Sequence, residues 1–345
     1  MDCARFINGI WSIWKLNAMI ENGNCMKKDF RILVLGAGGL IGSRIVNQLT
    51  RSGYHRVIAC DHRQLELTNQ RAVHEYFMKE KPDYLYFCAV KSITDFDNTT
   101  VGDADELYSN SMMVCNTIQA ALESGVKKAI FLGSAMLYPW NLDPCPDRLS
   151  EDLLDRFNIS GYSPAMQSAV LSKLFEYKMC QFYKKQYGCN FIYCLPAHIY
   201  GGFSGRKNLY FTERVVMDIC DAKLSNAPSL YLDVFGKGEA CKNLLHVDDC
   251  AGAIIYTMNH YESDDVAINI VSDEIVTWSQ LVKYVCEIVG YEGTITFNTE
   301  RKENMSNRLC STKKLNSLGF KPEISIYEGL KMLCSEYLQM KGEVS

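Results

Sequence analysis

The stretch Arg31-Ile-Leu-Val-Leu-Gly36-Ala-Gly38-Gly39-Leu40-Ile41-Gly42-Ser43-Arg44 decides the fold. An apolar strand runs into glycines at 36, 39 and 42, and a helical pattern follows at once. Gly36 lets the chain turn sharply off the strand. Gly39 lets backbone approach a pyrophosphate, and Gly42 lets the next helix pack close to the sheet. The amino end of that helix, Gly38 and Gly39 leading into Leu40 and Ile41, turns its N–H groups and positive dipole end toward phosphates. The pattern predicts a dinucleotide site.

Outward from this turn, short apolar runs alternate with helical periodicity. Strands are predicted at 31–35, 56–60, 84–89, 128–133 and 190–195, and helices at 40–52, 69–80, 104–124 and 166–187. Such alternation gives a doubly wound parallel sheet of the Rossmann type with right-handed crossovers. After residue 200 the pattern changes. Strands near 229–235, 267–271 and 294–298 mix with helices near 248–258, 277–290 and 326–340. The expected α/β architecture is a cofactor domain over 26–200, with part of the later chain returning to it. A smaller α/β substrate domain, mainly 201–345, would lie over the carboxyl edge of the sheet, where open α/β folds bind ligands. Residues 1–25 read as an extension. Their apolar run Phe6–Trp14 is too short to span a bilayer and lacks a signal-peptide cleavage region.

Composition narrows the function. The chain has 345 residues, 48% of them hydrophobic, and a net charge of −4, which argues against a nucleic-acid partner held by charge. None of its 15 cysteines forms C-x-x-C, and several sit inside apolar runs, as reduced thiols of a cytoplasmic protein would. The six histidines show no metal-ligand spacing. The second strand ends in Asp61, which suits the ribose hydroxyls of NAD. His62 and Arg63 beside it suit a 2′-phosphate, so NADP stays open as the alternative to NAD.

Further segments carry a resemblance. They include Ala89-Val-Lys91, Tyr108-Ser-Asn110, Phe131-Leu-Gly-Ser134, Leu137-Tyr-Pro139, Tyr183-Lys-Lys-Gln-Tyr-Gly188, Pro196-Ala-His198-Ile-Tyr-Gly201, Phe235-Gly-Lys-Gly238 and Leu244-Leu-His-Val-Asp-Asp249. From about 30 to 335 the chain resembles the extended short-chain dehydrogenases/reductases that act on nucleotide sugars, most of all the GDP-L-fucose synthase branch. The resemblance implies a GDP-linked keto or deoxy sugar as substrate, glycan-precursor synthesis as the setting, and a homodimer bundled through helices 104–124 and 166–187. It also implies that Ala89, Lys91 and Asn110 belong to the cofactor side.

Chemistry in this family runs through a Ser–Tyr–Lys trio. Ser134 and Lys173 match its serine and lysine. The lysine in this family lowers the tyrosine pKa and binds the nicotinamide ribose. The tyrosine position, four residues before Lys173, holds Ala169. Pro164 and the 183–188 segment fix the register, so no slip restores it. Three readings stay open: an inactivating Tyr-to-Ala replacement, a substitute hydroxyl from Tyr162, or a chain that binds nucleotide without redox chemistry. The epimerising cysteine of the family falls at Met136, a thioether that carries no proton. The stretch 203–214, where its partner histidine is expected, contains none. What remains suits keto–alcohol reduction at C4 more than epimerisation. On the substrate side the resemblance points to Lys242 and Arg308 facing a diphosphate, and to His198 near the sugar. Asp95 and Asp97, on the loop after the third strand, are weaker acid candidates.

Overall fold

The computed structural model describes residues 26–91, 104–139, 142, 146–203, 210–299 and 308–344. The extension 1–25 and the acids Asp95 and Asp97 lie outside the described residues.

Six parallel strands form the main sheet: β1 (Ile32–Leu35), β2 (Val57–Cys60), β3 (Tyr84–Phe87), β4 (Lys128–Leu132), β5 (Phe191–Pro196) and β10 (Ala267–Ile270). Their order is β10-β5-β4-β3-β1-β2. All four residues of β1 are buried, as befits a strand covered on both faces. Period-two alternation sends Leu33 and Leu35 to one core and Ile32 and Val34 to the other. On the first face lie α2 (Gln70–Glu80), α3 (Ala104–Ser124) and α4 (Pro164–Tyr187). On the second lie α1 (Leu40–Arg51), through Ile45 and Leu49, and α6 (Val247–His260), nearly all of which is buried. The doubly wound parallel sheet expected from the sequence is therefore present.

β1 feeds β2 on one side and β3 on the other, so strand order reverses between β1 and β3. That reversal opens a crevice at the carboxyl ends of the strands, the usual ligand position in such sheets.

A third core is built by α5 (Phe211–Leu224), α7 (Trp278–Val289) and α9 (Ile326–Val344) against β7 (Ser229–Phe235) and β12 (Thr294–Asn298). The short pairs β6 (Ile199–Tyr200) with β9 (Leu245–His246), and β8 (Cys241–Lys242) with β11 (Val276–Thr277), stitch the two parts together. The five-residue helix α8 (Lys313–Ser317) precedes α9.

Sequence reading missed α5. Its β-branched Val215, Val216 and Ile219 are poor helix formers, yet with Thr212, Glu213, Cys220 and Ala222 they make one buried face. Burial of that face overrides propensity. Asp248 and Asp249 stand in the first turn of α6, and neither is its N-cap. Instead His246 Nδ1 accepts from the Asp248 N–H, Asp248 pairs with Arg44 at 3.1 Å, and Asp249 Oδ2 accepts from the backbones of Glu323 and Ile324.

Candidate active site

The glycine turn sits at the switch-point crevice. Gly36 adopts φ of 77° as the chain leaves β1, and a Cβ there would lie 2.6 Å from the Ala89 nitrogen that follows β3. A Cβ on Gly42 would lie 2.3 Å from the Gly36 carbonyl oxygen. Both positions admit no side chain, and α1 is thereby drawn against the turn. Gly39 is the N-cap of α1; no side chain caps this end, and no acid stands in its first turn. The helix end at Leu40 and Ile41 is therefore free of competing anions, as a pyrophosphate requires. Gly38 faces Asp61, whose Cβ lies 3.9 Å from where a Gly38 Cβ would stand. These residues fit a dinucleotide: a cradle too tight for side chains, a helix dipole, and a polar group at the end of β2.

Asp61 is not a bare acceptor. Arg63 grips it through its backbone N–H at 2.9 Å and its guanidinium at 2.5 Å. The Arg63 hydrogen bonds hold the carboxyl down to about 2. Arg63 itself and His62 are exposed. Asn110, buried on α3, accepts from the Lys91 N–H at 2.8 Å and donates to its carbonyl at 3.0 Å. That pair pins the chain just past Ala89, while the Lys91 ammonium donates to Ser109 Oγ at 3.4 Å.

Ser134 and Lys173 meet at the end of β4. The Lys173 ammonium donates at 2.7 Å to the carbonyl of Leu132, two residues before Ser134. It donates equally, at 2.7 Å, to Glu176 Oε2 one turn on. Ser134 Oγ accepts from the Met136 N–H at 3.2 Å, which leaves the hydroxyl proton to donate elsewhere. Ala169 lies one turn before Lys173 on the same face of α4, so its methyl stands where the trio needs a phenol.

Tyr162 does not fill that gap. It is buried, and its hydroxyl donates to the Tyr138 carbonyl at 2.9 Å. Burial pushes its pKa up to about 12. The substitute hydroxyl expected from Tyr162 is instead that of a core residue stacked on Phe157.

Arg308 also differs from expectation. It is buried and donates to the Pro139 carbonyl at 2.8 Å and the Tyr138 carbonyl at 2.7 Å. Those bonds staple the segment after Ser134 to the later half of the chain. His198 and Lys242 cluster with it. His198 has a left-handed backbone at φ of 50°, and burial, then the charges of Lys242 and Arg308, drive its pKa down to about 4. It is a neutral imidazole at physiological pH. Lys242 is buried on β8. Lys242 and Arg308 thus form a cationic cluster about His198, with the Arg308 guanidinium committed to backbone carbonyls.

Three features escaped the sequence reading. Glu176, buried beside Lys173, was visible as an i,i+3 acid–base pair on a helix. Ser168 Oγ donates to buried Glu106 at 2.9 Å and ties α4 to α3. Gly133 is required because a Cβ would lie 2.3 Å from the Tyr193 ring, whose hydroxyl donates to the Lys173 carbonyl. No local pattern announces these last two.

An open parallel sheet with this turn at its switch point, and a serine and lysine at the neighbouring strand end, is a dinucleotide-binding architecture. The NAD dependent epimerase/dehydratase family matches residues 32–271, and the chain belongs to that family. A GDP-L-fucose synthase from Sinorhizobium fredii is 31% identical over 303 residues, 87% of this chain and 93% of that protein. Among solved structures, a GDP-mannoheptose C4 reductase from Campylobacter jejuni with NADP bound superposes with a TM-score of 0.76. It is 27% identical and covers 91% of this chain and 99% of its own. A GDP-6-OMe-4-keto-L-xylo-heptose reductase from the same organism gives 0.73 at 25% identity, with 92% and 99% covered.

Proposed function

We propose that this chain is an NADP(H)-dependent reductase of a GDP-linked 4-keto sugar. The observation that carries the reading is the Lys173–Leu132 hydrogen bond, which brings the two surviving members of the trio to one strand end beside the crevice. Gly36 to Gly42 would hold the pyrophosphate and Lys173 the nicotinamide ribose. The nicotinamide, when bound, supplies the hydride. Ser134 would donate its hydroxyl proton as a hydrogen bond to the reacting oxygen, and Lys242 with His198 would line the sugar-diphosphate side. Met136 and the histidine-free stretch 203–214 supply no acid–base pair, which favours plain C4 reduction over epimerisation.

NADP replaces NAD as the favoured cofactor. Asp61, the acid that suits NAD, is already neutralised by Arg63, and exposed Arg63 and His62 suit a 2′-phosphate. The relative solved with NADP points the same way. In this reading 26–200 with the returning β10 forms the cofactor half, and most of 201–345 the sugar half. Exposed Tyr108 on α3 and Phe182 on α4 support a homodimer through those helices, although Ile118, expected on that face, is core. No described helix is long and apolar enough to cross a membrane, and every described cysteine is a free thiol, in keeping with a cytoplasmic setting.

The test is NADPH oxidation with GDP-4-keto-6-deoxy sugars, the chain and its Ala169→Tyr variant side by side. Turnover by either supports the reductase reading, and product stereochemistry decides against or for epimerisation. Turnover by neither, with NADPH bound, would refute it for this substrate class.

A further inference from the structure

The reductase reading leaves the reaction proton without a donor, because Ala169 has none and Tyr162 is committed elsewhere. The structure offers an unusual pair in the same place. Glu176 is 1% exposed, and its Oε2 takes the Lys173 ammonium at 2.7 Å. Its other oxygen, Oε1, is buried with no hydrogen-bond partner. Burying a carboxylate this deeply costs several kcal/mol unless a cation compensates it, roughly the penalty for any unpaired buried ion. The groups facing it are Lys173 and Cys180 on α4, Tyr193 on β5, and Cys88 after β3. Burial pushes Cys88 up to about 12 and holds Cys180 and Tyr193 well above their ordinary values, so all three are neutral. Among the described residues, Lys173 is the charge that answers Glu176.

The Lys173 ammonium has three N–H donors. Two go to the Leu132 carbonyl and to Glu176. The third is the donor open both to a bound ribose and to a water beside it, and Ala169, one turn back on the same helix face, has a methyl where the trio has a phenol. We propose that Lys173, set by Glu176, delivers the reaction proton itself, through a water lodged in the space left at Ala169 beside Ser134. This rests on the reductase reading. The balance is complete. A bound reduced nicotinamide would supply hydride to the carbonyl carbon, with the C=O π electrons moving onto the oxygen. The new O–H bond takes a proton from the bridging water, which is replenished from Lys173 Nζ. The resulting amine regains a proton from bulk water. Lys173 is the catalytic residue and Glu176 the positioning residue: its Oε2 holds and aims the ammonium at 2.7 Å.

Two readouts test this. The first needs no turnover: the rate at which acetic anhydride acylates Lys173 in the cofactor-free chain, followed by mass spectrometry of its peptide across pH. Glu176→Gln removes the stabilising carboxylate, so Lys173 should acylate about tenfold faster at a fixed pH, the equivalent of one pH unit. The second is the pH profile of kcat. Its alkaline limb should move down by about one unit in Glu176→Gln, with KM for the sugar unchanged. A Lys173→Met/Glu176→Leu double variant replaces the pair by apolar volume and should fold. It should lose turnover by at least about a hundredfold. Turnover by the unmodified chain with an unmoved limb and unchanged acylation in Glu176→Gln would overturn the inference and leave the reductase reading standing. No turnover by the unmodified chain, with turnover by Ala169→Tyr, would overturn the inference alone; turnover by neither would overturn both.

Discussion

Replacing Arg308 by Met separates a staple from a substrate ligand. In the structure the guanidinium is buried and makes two charge-assisted bonds, to the carbonyls of Tyr138 and Pro139. Hydrogen bonds to charged groups contribute about 1.5 to 3 kcal/mol each. The Tyr138 carbonyl keeps a second donor, the Tyr162 hydroxyl, so the heavier loss falls at Pro139. Burying the methionine side chain returns part of the loss, about 1.5 to 3 kcal/mol at most. The net expectation is a destabilisation of about 2 kcal/mol, a large share of the roughly 5 to 15 kcal/mol that holds a folded protein. Chemical unfolding of the cofactor-free chain measures it directly. Arg308→Lys, which can restore one bond but not the fork, should recover about half. Because the stapled segment follows Ser134, kcat should fall along with stability. If unfolding stays within about 0.5 kcal/mol of the unmodified chain while KM for the sugar nucleotide rises, the staple is incidental and Arg308 serves the diphosphate.

Three other expectations follow from particular contacts. Gly42→Ala puts a methyl 2.3 Å from the Gly36 carbonyl oxygen; α1 must lift from the turn, and dinucleotide affinity by calorimetry should fall together with thermal stability. Arg63→Ala frees Asp61 and removes the cation beside it, so the ratio of NADPH to NADH affinity should drop, and an unchanged ratio would remove Arg63 from the cofactor site. Asp249 is wholly buried, with Oδ1 unpartnered, and burial raises its pKa to about 6. Below pH 4 both folded and unfolded chains hold that proton. Between pH 4 and 6 the folded chain holds it more tightly, so this carboxyl takes stability away as pH rises through 6. Asp249→Asn should therefore stabilise the protein at pH 8, by up to about 2 to 3 kcal/mol, and change little at pH 4. Equal effects at both pH values would exclude the titration.

Much of the fold was legible because its signals are local. The run into Gly36 and the termini of β7, β12 and α3 can be read from alternation, periodicity and turn residues in a short window. The site was legible where a motif spans few residues, as with Gly36 to Gly42 or Ser134. It failed where long-range packing decides. Tyr162 was offered as a substitute hydroxyl, but it packs on Phe157 and its hydroxyl is held by the Tyr138 carbonyl. Arg308 was expected to face a diphosphate, but its partners are carbonyls 169 and 170 residues away. Asp61 and Arg63 read from sequence as rivals for the ribose, because the backbone turn that folds Arg63 onto the acid is not encoded in either residue alone.

The position of β10 has a consequence for how the chain is made. This strand pairs with β5 from more than seventy residues downstream, and Asn269 within it ties together Tyr138, Leu149, Glu151 and Ser311. A nascent chain that has emerged only as far as residue 260 therefore carries a five-stranded sheet with the β5 edge bare and apolar. Such edges invite pairing with other chains until the missing strand arrives. Synthesis that stalls in this interval, or a product truncated there, would leave an aggregation-prone half rather than a smaller working protein.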